Sequence, residues 1–138
     1  MPAKDIYHEQ VKTALINDGW IVTHDPYTIA FGQRNVFVDF GAERMIAAEK
    51  DNQKIAVEVK SFQGASDIRD LEQAVGQYVF YRSLLSRFDA QRKLYLAVPH
   101  PVLIGVLDEA IARPVLEDEN IAILTFDAEK EQIIQWTR

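Results

Sequence analysis

The chain contains no cysteine, so disulfide cross-links, thiolate metal sites and thiol chemistry are all excluded. It also lacks any apolar run near the ~20 residues needed to span a bilayer, and no apolar leader-like stretch follows Met1 to Asp5. A soluble, cytoplasmic protein without a membrane partner is expected. Basic residues are outnumbered: 15 Lys and Arg against 21 Asp and Glu give a net charge of -6, which leaves no broad positive surface for nucleic acid. Any nucleic-acid contact has to be local or assisted by bound cations. Glycine and proline are sparse, at six and five in 138 residues, and no repeat, low-complexity tract or linker divides the chain. One domain over residues 1–138, with a single core, is expected.

What the chain does contain is organised by hydrophobic period. Tyr7, Val11, Ala14 and Leu15 mark an amphipathic helix between Asp5, a residue type suited to the N-cap, and Gly19, suited to the C-terminal turn. Strand-like segments follow at Trp20–Thr23, Tyr27–Phe31, Val36–Phe40 and Arg44–Glu49. The polar stretch Lys50 to Gln53 reads as a hairpin turn into Lys54–Phe62. Ser66 can cap a long helix reaching about Phe88, with Asp67 and Asp70 near its positive end. A buried strand at Lys93–Val98, a helix over Val102–Ala112, and strands at Ile121–Phe126 and Gln132–Trp136 complete the order. That order predicts an α/β domain, a central mixed sheet flanked by helices.

One strand poses an electrostatic problem. In Lys54-Ile55-Ala56-Val57-Glu58-Val59-Lys60, alternation puts Ala56, Glu58 and Lys60 on one face and Ile55, Val57 and Val59 on the other. Two charges on the same face of an otherwise apolar strand need a compensating metal ion, phosphate or opposing charge. Glu58 and Lys60 are therefore the first candidate site residues. Two acids upstream compete to join them: Asp39, nineteen positions before Glu58, and Glu43, fifteen before it. A hairpin centred near Asp51-Asn52 sets Glu58 opposite Met45 and brings Glu43 close. A bend at Gly41 favours Asp39 instead.

On the amino-terminal helix, Glu9 falls opposite the apolar stripe and points to water, whereas His8 lies at its edge and can reach a site. The long helix carries two stripes. Ile68, Leu71, Val75, Tyr78 and Val79 can cover the sheet, and Ala74, Gln77, Tyr81, Leu84 and Phe88 can meet either the rest of the chain or a partner helix. A homodimer through residues 66–88 is one expectation, and Gln77 is a candidate either for helix register or for substrate contact.

Glu58-Val59-Lys60 on an apolar strand, an acid upstream and Gln77-x-x-x-Tyr81 on the next helix resemble the PD-(D/E)XK nuclease superfamily, in its RecB-like branch. Neither upstream acid is preceded by the proline that names it. The resemblance implies a restriction-endonuclease-like fold in which Mg²⁺ or Mn²⁺ is held by Glu58 with Asp39 or Glu43. Lys60 then orients or helps to deprotonate a water, or stabilises charge on phosphorus. Over nearly the whole chain, Asp5-Ile6-Tyr7-His8, Ala14-Leu15-Ile16-Asn17-Asp18-Gly19-Trp20, Asp39-Phe40-Gly41-Ala42-Glu43, the Glu58 strand, Gly76-Gln77-Tyr78 and Leu94-Tyr95-Leu96-Ala97-Val98 are similar to the XisH family. That family is known as the fdxN element excision controlling factor of cyanobacteria. The similarity implies a part in controlled, site-specific DNA rearrangement, with DNA, an XisI-like companion protein and a recombinase as partners. Two functions fit: a metal-dependent DNA endonuclease or nickase, and a non-catalytic regulatory module on the same fold.

Overall fold

The computed structural model describes residues 4–45 and 52–137. Its centre is a six-stranded mixed sheet in the order β1-β4-β5-β6-β7-β8, formed by Ile21–His24, Phe40–Arg44, Gln53–Val59, Arg92–Pro99, Ile123–Asp127 and Gln132–Trp136. The middle strands β5, β6 and β7 run parallel, and the flanking pairs are antiparallel. A separate hairpin, β2 (Tyr27–Phe31) with β3 (Arg34–Val38), lies beside the sheet.

The alternation read in β5 decides which layer each side chain joins. Ile55, Val57 and Val59 pack with Val11 and Leu15 of α1 (His8–Asn17), Trp20, Phe40 and Phe126. Ala56, on the opposite face, packs with Leu71, Ala74 and Tyr78 of α2 (Asp67–Phe88) and with Ile29 and Val38 of the hairpin. Central parallel strands covered on both faces read as nearly continuous apolar runs, which is the composition of β5 and β6. The hydrophobic interior is therefore two layers divided by the sheet.

Several boundaries follow from local chemistry. The Ser66 hydroxyl accepts from the Arg69 N–H at 3.3 Å and starts α2, Asp67 and Asp70 lie in its first turn, and Arg87 lies in its last. Asp70 also accepts from the Gly64 N–H at 2.9 Å, tying the preceding loop to the helix. Gly41 has a steric reason to be glycine: a Cβ there would lie 2.8 Å from the Tyr27 ring, which packs directly over β4. Tyr78 joins the layers' edges, its hydroxyl donating to the Leu94 carbonyl and accepting from the Ala122 N–H, both at 3.1 Å.

Three expectations change. α1 begins at His8, not at Asp5, whose carboxylate instead accepts from the Tyr7 N–H at 2.9 Å and the Ser61 N–H at 3.1 Å. The helix expected over Val102–Ala112 is broken into α3 (His100–Ile104), a 3₁₀ turn at Val106–Asp108 and α4 (Arg113–Asp118). Gly105 separates the first two, where an added Cβ would meet the Pro101 carbonyl at 2.8 Å. The partner of β5 is indeed antiparallel, but it is Phe40–Arg44 and not 44–49; of the expected strand and turn, residues 46–51 lie outside the described ones.

Candidate metal and phosphate site

Register selects between the two upstream acids. Phe40 pairs with Val57 and Glu43 pairs with Lys54, so Asp39 comes beside Glu58 while Glu43 is carried four residues down the ladder. The expected pairing of Glu58 with Met45 is wrong, because the connection closes earlier in the chain than a hairpin centred on Asp51-Asn52 requires. Asp39 occupies the break between β3 and β4, a bend rather than a strand position. There its N–H donates to Glu58 Oε1 at 3.2 Å, and its Oδ2 accepts from the Val59 N–H at 2.8 Å. Glu58 and Asp39 thus share a corner of the sheet, at the carboxyl end of β5.

Lys60 completes this corner. Its Nζ lies 3.7 Å from Glu58 Oε2, and its own N–H donates to the Ala97 carbonyl at 2.9 Å, which holds the residue beyond the last bridge of β5 against β6. Glu58 is only 7% exposed. Burial, and then the neighbouring Asp39 charge, push the Glu58 carboxyl up to about 8 despite the Lys60 ammonium. Burial also raises Asp39, against the opposing pull of the Val59 N–H and of His8. A buried and a half-buried carboxyl, both held above their ordinary range, with one lysine beside Glu58, form a site short of positive charge.

His8 stands on the other side of Asp39. Its ring is 4% exposed and rests on Phe40 with centroids 4.3 Å apart. Nε2 lies 2.8 Å from Asp25 Oδ1, and Nδ1 faces Asp39 Oδ1 at 3.8 Å, beyond hydrogen-bond reach. Lys12 holds Asp25 from the next turn of α1, Nζ to Oδ2 at 3.0 Å. Burial pushes Asp25 up, but hydrogen bonds from Lys12 and His8 outweigh it and leave this carboxyl low. The result is a line of ionisable side chains, Lys12, Asp25, His8, Asp39, Glu58 and Lys60, running from α1 across the sheet edge. Glu9 takes no part, being exposed and 3.7 Å from Lys4. Atoms of His8, Glu9 and Asp25 also approach within 4.8 Å of one another, but the Lys12 ammonium already sits on Asp25 where a cation would be drawn.

From the other layer α2 presents Gln77 and, one turn later, Tyr81. The Tyr81 hydroxyl is pushed up to about 12 by burial and then by the Glu58 and Asp39 charges. Gln77, four residues earlier on the same side of the helix, keeps a buried Oε1 with no hydrogen-bond partner among the described residues. The second such atom among them is His8 Nδ1. Orphaned buried polar atoms are costly and rare in native structures. His8 faces the carboxyl pair directly, and Gln77 lies one helical turn before Tyr81, which feels the charges of that pair.

The donors suit a hard divalent cation: two carboxylates and no sulfur. A cation beside Asp39 and Glu58 would favour ionisation of both and relieve the charge deficit. Of the sequence candidates, Asp39, Glu58 and Lys60 come together here, Gln77 lies one turn before Tyr81 on α2, and Glu43 is carried away down the ladder. Asp25 and Lys12 were not among the candidate site residues, since an Asp before Pro26 and a helical Lys have ordinary structural uses; Asp25 stood out only within Thr23-His24-Asp25-Pro26, a further block similar to the XisH family.

The comparisons with known proteins agree over the length of the chain. The family described as XisH protein matches residues 1–134. A crystal structure of an XisH family protein from Nostoc punctiforme PCC 73102 is 38% identical with a TM-score of 0.87, covering 97% of this chain and 100% of that one. A crystal structure of an fdxN element excision controlling factor protein from Anabaena variabilis is likewise 38% identical, with a TM-score of 0.86 over 98% of this chain and 100% of that one. A comparison with curated proteins finds no match. With one family spanning the charged strand, its acidic neighbour and both helices around them, the chain belongs to the XisH family.

Proposed function

We propose that this protein is a Mg²⁺- or Mn²⁺-dependent DNA endonuclease or nickase of the PD-(D/E)XK type, acting in the controlled excision of a DNA element. The observation that carries the reading is the convergence of Asp39, Glu58 and Lys60 at the carboxyl end of β5, with Glu58 buried, Asp39 half-buried and both carboxyls raised. Asp39 and Glu58 would hold the cation, and the unpartnered Gln77 Oε1 would be a further oxygen donor. Bound there, the ion would act as a Lewis acid, neutralising charge on the scissile phosphate. Lys60 Nζ offers fixed donors, either to orient the attacking water or to stabilise a nonbridging oxygen. Water oxygen bonds to phosphorus as the bond from phosphorus to one sugar oxygen breaks, and that sugar leaves as an alcohol once protonated. The His8–Asp25–Lys12 chain keeps Asp39 in place from behind. A net charge of -6 makes the reaction dependent on the cation for DNA approach as well as for chemistry. Such a role fits the cytoplasm.

A second reading is favoured by the outer side of α2. Ile68, Val75, Ile111 and Val115 line an apolar groove, with Ile111 62% exposed. On this reading the domain is a regulatory module that engages an XisI-like companion, a recombinase or a second copy of itself. The stripe first considered for such contacts is different: Ala74 is buried, Tyr81 and Leu84 pack within the chain, and Phe88 touches Tyr27 at 6.3 Å between centroids.

Plasmid nicking with Mg²⁺ and Mn²⁺, run beside Glu58→Ala and Lys60→Ala, separates the two. Cleavage indifferent to both substitutions sinks the catalytic assignment, and partner binding without any cleavage favours the module.

A further inference from the structure

A second depression opens at the same end of the sheet, on the side away from Gln77. It has a volume of about 350 Å³ and is lined by Tyr7, His100, Phe126, Asp127 and Ile134 among others. That volume is at the lower end of small-molecule sites. The pocket adjoins the candidate site through the chain itself. Tyr7 precedes His8 and its hydroxyl lies 3.5 Å from Gln63 Nε2 in the loop after Lys60. Asp5 ties the Tyr7 and Ser61 N–H groups together, and β6, paired with β5 up to Val59–Ala97, ends at Pro99 on the pocket wall.

Its lining combines an aromatic wall with a few polar groups. Tyr7 meets Phe126 in a T-shaped contact with centroids 5.8 Å apart, which braces the two rings against each other. His100 Nδ1 lies 2.9 Å from the Thr125 hydroxyl, and Asp127 Oδ1 accepts from the Glu129 and Lys130 N–H groups. These bonds fix both side chains and leave His100 Nε2 and Asp127 Oδ2 without partners among the described residues. An aromatic face, one carboxylate acceptor and one imidazole nitrogen are what the face and edge of a nucleobase require.

We infer that this pocket receives an unpaired nucleobase of a DNA strand next to the phosphate bound at Asp39 and Glu58. The inference deepens the nuclease reading and rests on it. With a net charge of -6 the chain itself supplies little phosphate neutralisation beyond local or cation-assisted contacts, so stacking and base-edge contacts carry a larger share. A base inside a continuous duplex is not available to such a pocket. The preferred DNA is therefore single-stranded, flapped or locally opened at the reacting nucleotide.

The test is fluorescence titration of a short oligonucleotide carrying 2-aminopurine, single-stranded or annealed to its complement, in EDTA and in Ca²⁺. The expected result is quenching and binding of the unpaired form, at least tenfold tighter than the duplex. Tyr7→Ala weakens that binding about tenfold and Tyr7→Phe retains it. Equal affinity for both forms, or Tyr7→Ala binding like the parent, overturns the inference. If circular dichroism shows that Tyr7→Ala does not fold, His100→Ala takes its place, with weakening of threefold or more expected and none overturning it. The outcomes also separate from those of the nuclease reading. Quenching without cleavage in any metal retains the pocket and removes the nuclease, whereas duplex nicking without quenching does the reverse.

Discussion

Asp39 and Glu58 lock the end of β5 between them: the Asp39 N–H donates to Glu58 Oε1 at 3.2 Å, and the following N–H of Val59 donates to Asp39 Oδ2 at 2.8 Å. The same contacts that fix their geometry bring two carboxyls together in a buried corner, and measurable consequences follow.

Stability should depend on pH in a direction unusual for a carboxylate. Glu58 is raised from 4.5 to about 8, so the native state binds this proton more tightly than the unfolded chain. Its contribution is complete below pH 4.5 and is lost as pH rises through 8, and the raised Asp39 acts with the same sign. Urea denaturation in EDTA should show a loss on the order of 5 kcal/mol across that window. Glu58→Gln, which keeps an acceptor for the Asp39 N–H, should flatten the profile and unfold at higher urea than the parent at pH 8.

Divalent cations should reverse that trend. Binding to Asp39 and Glu58 displaces protons, so the rise in melting temperature with Mg²⁺ or Mn²⁺ should be larger at pH 8 than at pH 6. Calorimetry in two buffers of different ionisation enthalpy would report the released proton. No thermal shift, or a shift kept in Glu58→Gln, would remove the cation from this site.

The two upstream acids should separate cleanly in activity. Asp39→Asn is expected to lower plasmid nicking by ~100-fold or more, comparable to losing a central electrostatic group. Glu43→Gln should stay within about threefold, because Glu43 is paired opposite Lys54. An equal loss from both would contradict the register-based assignment.

Gln77 offers a test of function against stability. Its buried Oε1 has no partner among the described residues, so Gln77→Met, which removes the polar atom at similar volume, should leave stability unchanged or raise it by about 1 kcal/mol. The same variant should weaken cation binding or nicking if Gln77 serves the site. Destabilisation by more than about 1 kcal/mol would instead make Gln77 a structural residue.

His8→Ala should cost about 2–4 kcal/mol, since it empties a buried space against Phe40 and strips Asp25 of one partner. Thermal melts of His8→Ala and His8→Gln would show whether polar replacement recovers part of the loss, as the contact with Asp25 requires.

The amino-acid order alone determined the parts of this fold that depend on periodicity. Alternation divided β5 into a face for α1 and a charged face toward α2, the Ser66 cap and acidic first turn set the start of the long helix, and Gln132–Trp136 appeared as a strand within its observed bounds. These are short-range signals, written in consecutive residues. Blocks of similar sequence pointed to the family. What the sequence left open was which acid meets Glu58, because Asp39 and Glu43 are chemically alike and share a strand parity. Tertiary structure chose Asp39 through the Phe40–Val57 register and a bend that lifts Asp39 out of the alternation. It also turned His8 from the edge of a helix into the link between Asp25 and Asp39, contacts 17 and 31 residues apart in sequence that no local pattern encodes. Residue types made a buried charged site necessary, and long-range packing decided its membership, because register and burial arise only when distant segments meet.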